Sequence, residues 1–108
     1  MAKAQASIPF RYEDYKSLPE SETRRYELLG GELLMTPSPN FKHQAISWRL
    51  ERAIGQFVEQ RQLGMVAHAP LDVILGKDVV QPDILFISHE RANIIQEDEV
   101  RGAPDLIV

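Results

Sequence analysis

The chain has no cysteine, which excludes disulfides, thiol nucleophiles and thiolate-bound zinc together. Any metal here would be held by oxygen or imidazole. It also lacks a long apolar run, since its stretches of consecutive hydrophobic residues span only a few positions, and no membrane span is predicted. The start, Met1-Ala2-Lys3-Ala4-Gln5-Ala6-Ser7, has no apolar core of the kind a signal peptide needs. The cytoplasm is therefore the expected compartment. Basic residues do not dominate either: 12 Lys and Arg stand against 16 Asp and Glu, a formal net charge of −4. Nucleic-acid affinity rests largely on Lys and Arg neutralising phosphates, so this balance argues against a generalised phosphate-binding surface and leaves room for local basic patches. Repeats, a P-loop, a dinucleotide fingerprint and a serine nucleophile elbow are all missing.

What is present is an ordinary globular composition, 44% hydrophobic and 26% charged over 108 residues, enough for one domain and one core. Residues 1–9 carry little pattern and are expected to be loose, leaving 10–108 as the domain. Tyr12, Tyr15 and Leu18 fall at helical spacing before Pro19 and predict a short helix. Tyr26 to Met35 has two apolar arms around Gly30-Gly31, the signature of a tight hairpin; a two-residue loop there pairs Leu29 with Glu32 and Glu27 with Leu34. Either Ser38 or Asn40 suits the cap of the helix predicted from Phe41 to about Gln62. Ile46, Leu50, Ala53, Ile54, Phe57 and Val58 share one arc of that helix and define its expected buried face. Gly64 is expected to end it. Met65 to Leu75 and Val79 to Ile87 predict a second hairpin, turning at Gly76-Lys77-Asp78. Residues 88–101 are polar and read as a loop with a helical turn, and a last strand starts at Pro104.

Asp83 stands out in the apolar run Pro82-Asp83-Ile84-Leu85-Phe86-Ile87. By alternation it shares a face with Leu85 and Ile87. A carboxylate there is costly unless paired, hydrogen-bonded or metal-bound. If Leu75 pairs with Val80, Asp72 falls directly opposite Asp83, and two facing acids repel unless a divalent cation lies between them. A partly solvated sheet edge, or a shift of register that separates the two, fits the pattern as well. His43 lies on the same helical arc as Ile46, Leu50 and Ile54. It is either a general base, proton relay or ligand near the sheet carboxylates, or a buried histidine satisfied by a backbone carbonyl. Glu27 and Glu32 flank the Gly-Gly turn, where solvent-facing positions are the simple reading. Lys42, Arg49 and Arg52 make a small basic patch on the helix.

The chain stops at Asp105-Leu106-Ile107-Val108, an apolar run without a closing turn, which predicts a strand cut short and a truncated sheet. Four segments in order, Arg25-Tyr26-Glu27-Leu28-Leu29-Gly30-Gly31-Glu32-Leu33, His43 opening a helix, Gln81-Pro82-Asp83-Ile84 and Gly102-Ala103-Pro104-Asp105-Leu106-Ile107-Val108, resemble the Uma-type restriction endonuclease family. The resemblance covers residues 10–108. It implies a PD-(D/E)xK nuclease-like fold of the α+β class, a mixed sheet with an N-terminal hairpin and one long helix, incomplete in its C-terminal strands. It further implies a metal-dependent endonuclease acting on DNA with Mg²⁺ or Mn²⁺. Asp83 matches the acid of the Pro-Asp doublet, the first-choice metal ligand. Glu27 and His43 match the family's hairpin acid and following histidine, so the implied site is Asp83, His43 and Glu27, with Asp72 added as a metal ligand by the hairpin register. The family's second essential acid would follow Val108. The expectation is thus an impaired nuclease or, alternatively, a non-catalytic nucleic-acid-binding or structural remnant of the same fold, with homodimer formation at the unpaired sheet edge.

Overall fold

Three glycines and two prolines set most of the chain's geometry. The computed structural model describes residues 8–19, 24–37 and 39–108; most of the segment expected to be loose, and the candidate cap Ser38, lie outside them. Tyr12–Lys16 forms α1, which presses Tyr15 onto Leu28, Ile74 and Val79, with Tyr12, Leu18, Tyr26 and Leu33 around them. Gly30 and Gly31 take φ values of 58° and 81°, left-handed angles that glycine adopts without a Cβ clash. They join β1 (Arg24–Leu29) to β2 (Glu32–Pro37) in the expected register, Leu29 opposite Glu32 and Glu27 opposite Leu34. Phe10 N–H donates to the Gly31 carbonyl at 2.9 Å, so the chain before α1 is tied to this turn.

The long helix α2 spans Phe41–Arg61. Asn40 is its cap, its side chain accepting the His43 N–H at 2.9 Å and satisfying one of the otherwise unpaired first-turn donors. Gln62, in the left-handed region with φ 52°, ends the helix; Gly64, expected as the stop, instead opens the next strand. The buried side of α2 is turned away from the expected arc. Val58 is buried and Ser47, Glu51, Ile54 and Gly55 are half-buried, whereas Ile46, Leu50 and Phe57 stay exposed. The helix packs mainly on β3 (Gly64–His68). A single strand contact cannot cover the wide apolar stripe this sequence presents.

The predicted second hairpin exists but is broken in two. β3 continues past Pro70 into β4 (Asp72–Leu75), and β5 (Asp78–Val80) continues past Pro82 into β6 (Ile84–Ser88). β4 pairs with β5 and β3 pairs with β6, each antiparallel. Proline supplies no N–H to a ladder, so each arm is interrupted where its proline falls. Between the pairs Val73–Val80 and His68–Ile84, residues 69–72 on one arm oppose 81–83 on the other. That extra residue is a bulge, which bends the ribbon so that its two halves enter different sheets. The 3₁₀ helix His89–Ile94 follows. Next comes β7 (Glu99–Arg101), a strand inside the segment expected to be a loop, paired in parallel with β4. The expected last strand is β8 (Leu106–Ile107), antiparallel to β6.

The result is a mixed five-stranded sheet, β2-β1-β5-β4-β7, and a three-stranded sheet, β3-β6-β8. Alternation on the shared ribbon builds both cores. Ile74 and Val79 face α1, while Val73 and Val80 face the other way and join Leu85, Ile87 and Val100. Fully burying each such aliphatic side chain contributes about 1.5–3 kcal/mol, so the second cluster is what fastens the two sheets together. This is the expected α+β class with a mixed sheet, an N-terminal hairpin and one long helix.

Candidate functional site

The hairpin register sets where the acids lie. Gly76 and Lys77 form a two-residue turn, with Leu75 opposite Asp78 and Val73 opposite Val80. The expected pairing of Leu75 with Val80 does not occur, and Asp72 is not opposite Asp83. The reason is the shorter turn, which shifts the ladder by two residues, together with the bulge that carries Asp83 out of the five-stranded sheet.

Asp83 sits at the bend between β5 and β6, its side chain 25% exposed. The first turn of α2 brings His43 Nε2 to 3.1 Å from Asp83 Oδ2, and β1 brings Arg25 Nη2 to 3.3 Å from Asp83 Oδ1. Both carboxylate oxygens therefore have a nitrogen partner. His43 does reach the sheet carboxylate, as the functional reading of its arc required, but it is exposed to solvent rather than buried. Arg25 has no place among the residues singled out from sequence. Parity held the clue, because Arg25 and Glu27 are two apart on β1 and share a face.

Glu27 and Asp72 belong to a neighbouring network whose centre is Gln81. The Gln81 backbone N–H donates to Glu27 Oε2 at 2.7 Å, and its side-chain amide donates to Asp72 Oδ1 at 2.8 Å. Tyr15 O–H donates to the same Asp72 oxygen at 2.7 Å. Burial, and then the Asp72 carboxylate, push the Tyr15 phenol far above its ordinary range, so it stays protonated as the donor. Among the described residues, no hydrogen bond or ion pair joins Glu27 or Asp72 to Asp83. Glu32 is exposed, as its solvent-facing reading required.

A cleft of about 630 Å³ opens beside Asp83. Arg25 and Asp83 line it together with Ser47, Trp48 and Glu51 of α2 and His68 of β3. One wall is thus the site just described, and the other is a helix face with an aromatic ring.

Residues 12–108 match the Uma2 family, whose description is "Putative restriction endonuclease". The chain belongs to that family. Among solved structures, the Uma2 chain is similar to one titled as a "putative nuclease belonging to DUF820" from Anabaena variabilis ATCC 29413. The TM-score is 0.73 and the identity 24%, over 92% of this chain and 56% of that one. At that identity the likeness establishes the fold, and the chain spans little more than half the length of the structure it matches. No curated protein matches the Uma2 chain.

A divalent ion implied for such a fold needs hard oxygen donors, and carboxylates supply them. The Uma2 chain fits this in kind but not in number. Both Asp83 oxygens carry nitrogen partners, Glu27 is held by a backbone N–H, and among the described residues no three His, Asp or Glu side chains converge on one point. The described residues do not by themselves make up a metal centre. No helix among them is long and apolar enough to cross a membrane.

Proposed function

We propose that this Uma2 chain carries part of a DNA phosphodiester-hydrolysing site centred on Asp83, and that its cleavage is impaired while Arg25 and His43 engage both oxygens of that carboxylate. The observation that supports this reading is the Asp83 carboxylate held between Arg25 and His43 at the mouth of a cleft. Asp83 would be the first ligand for the Mg²⁺ or Mn²⁺ of such endonucleases, with His43 beside it and Glu27 in the adjoining Gln81 network, a set that among the described residues falls short of a complete metal centre. The ion would supply charge stabilisation at the scissile phosphate.

The chain's own groups have roles that need no ion. Arg25 is placed to take a phosphate oxygen in exchange for Asp83, a charge-assisted contact of the kind guanidinium makes well. His43, once released from Asp83, has an open ring nitrogen for accepting a proton from water. Asp72 has its place in the supporting network, where it orients Gln81 and through it Glu27. The same observation supports the alternative, a nucleic-acid-binding chain without turnover, because a carboxylate already engaged by two nitrogen partners is a poor ligand. The reading places the chain in the cytoplasm, with self-association at the β8 edge, where Leu106, Ile107 and Val108 are exposed.

Incubation of the chain with supercoiled plasmid and Mg²⁺ or Mn²⁺ tests this. Slow nicking that Asp83→Ala abolishes is the expected outcome. Binding without cleavage, unchanged in Asp83→Ala, selects the alternative. Failure to bind DNA at low salt refutes both.

A further inference from the structure

Trp48 is the only tryptophan of the chain, and it is 59% exposed in a folded helix. An indole left this open is a large apolar surface, and in this fold it lines the same cleft as Asp83 and Arg25. The Arg52 guanidinium carbon lies 5.5 Å from its ring centroid, a cation–π contact that steadies the ring. An aromatic platform steadied by arginine beside a polar groove is the recurring device for holding unpaired bases, since every base offers a π-face and stacking needs no particular sequence. A paired base inside a duplex cannot lie on such a ring without first leaving its own stack.

The rest of the cleft suits the sugar and phosphate of the same nucleotide. Ser47 and Gln44 add neutral hydrogen-bonding groups to its lining. His68 is oriented by Glu51, with Nδ1 at 2.6 Å from Oε2. A carboxylate on one ring nitrogen fixes the tautomer and leaves the other nitrogen, Nε2, available. This pair takes no part in the Asp83 or Gln81 networks. Glu51 comes from α2 and His68 from β3, so its position depends on the packing of the helix on that strand.

From these observations we propose that the cleft is a subsite for an unpaired nucleotide, with Trp48 as the stacking platform and the Glu51-oriented His68 as a polar contact, next to a phosphate at Arg25 and Asp83. The proposal rests on the nuclease reading above and narrows its substrate class to single-stranded or locally opened DNA. The basic positions Arg49 and Arg52 on the same helix supply attraction for the backbone despite the overall negative charge.

Because Trp48 is the sole indole, its fluorescence reports on this subsite alone. The full chain is titrated in EDTA with a short single-stranded oligonucleotide and with the same sequence as a duplex. Strong quenching by the single strand, with roughly tenfold weaker binding of the duplex, is expected from the loss of one stacking contact. Anisotropy of a labelled single strand then compares variants. Trp48→Leu should bind roughly tenfold more weakly and Trp48→Phe should keep most of the affinity; both sit at an exposed position, and circular dichroism checks that they fold. His68→Ala should weaken binding of the single strand without removing the quench. Equal quenching by duplex and single strand, or unchanged affinity in Trp48→Leu, overturns the proposal and leaves the nuclease reading standing. Absence of binding to either form overturns both.

Discussion

Removing one oxygen from the Tyr15 side chain tests the network that holds the five-stranded sheet against α1. Tyr15 is 8% exposed, and its hydroxyl donates to Asp72 at 2.7 Å, lies 3.2 Å from the Tyr26 carbonyl and accepts from the Gln81 amide at 3.2 Å. Tyr15→Phe keeps the ring and its packing but leaves Asp72 with Gln81 alone. A hydrogen bond to a charged group contributes about 1.5–3 kcal/mol, and the half-buried setting of Asp72 places the loss near the middle, about 2 kcal/mol. At about 4–8 °C per kcal/mol for a domain of this size, Tm should fall by about 8–16 °C.

In an Asp72→Asn background the same substitution should cost less, a coupling of about 1 kcal/mol by double-mutant cycle. The pH dependence has a definite sign. The folded phenol holds its proton above the ordinary value of about 10 because of burial and the adjacent carboxylate. Its contribution is therefore complete below that value and declines as pH rises beyond it, because the unfolded chain ionises there and the folded chain does not. Urea denaturation at a series of pH values should show the wild type converging on Tyr15→Phe above about pH 10. A Tm within about 2 °C of wild type, or a gap that stays constant into alkaline pH, would refute this account of the network.

Three further substitutions probe separate features. Gly64 is where β3 begins, and a Cβ there would be driven into the Ile87 carbonyl and within 2.8 Å of the Ser88 Cα; Gly64→Ala should cost about 2 kcal/mol or more by forcing β3 and β6 apart, measured as a lowered urea midpoint. Asn40→Ala removes the cap on the His43 N–H and should cost about 1 kcal/mol of stability, with hydrogen exchange rising in the first turn of α2 rather than in its middle. The Asp105 carboxyl is held below its usual range, first by the Ser88 backbone N–H it accepts and further by Arg91. Its stabilising effect should be complete above the normal carboxylate range and lost as pH falls through the depressed value. Asp105→Asn should accordingly be less stable than wild type at neutral pH and equal to it in strong acid.

The sequence made visible those elements whose signal is local. The Gly30-Gly31 turn fixed its own register because only a two-residue loop satisfies both left-handed positions, and α2 announced itself through period and cap. His43 and Asp83 could be expected near one another because each broke an apolar pattern at the start of its element. What escaped was set by partners distant in sequence. β7 buries only Val100, between Glu99 and Arg101, so its strand character comes from pairing with β4 and not from its own composition. The rotation of α2 could not be read from its apolar arc, since which part of a broad stripe is covered depends on the strand it meets. The bridging role of Gln81 escaped for a similar reason, as a backbone N–H and an amide gain importance only where two acids arrive from other strands. Arg25 was within reach by parity with Glu27, because a half-buried Asp83 needs a cation and β1 supplies one on that face.

The extra residue in segment 69–72 gives the ribbon a property that surface connections do not share. Most connecting segments tolerate a lost residue, because either end can shift in solvent. Here one deletion would restore an unbroken ladder, and that repair would be ruinous. The pairs Val73–Val80 and His68–Ile84 would keep their partners, three residues now opposing three, but the bend between them would go, and β3 and β6 would run on in the plane of the five-stranded sheet. α2, which packs on β3, would swing with it, and the helix wall of the cleft would part from Arg25 on β1. A four-residue stretch that looks like an ordinary link therefore sets the angle between the two sheets, and natural variation in its length should be rarer than in the Gly76-Lys77 turn only a few positions away.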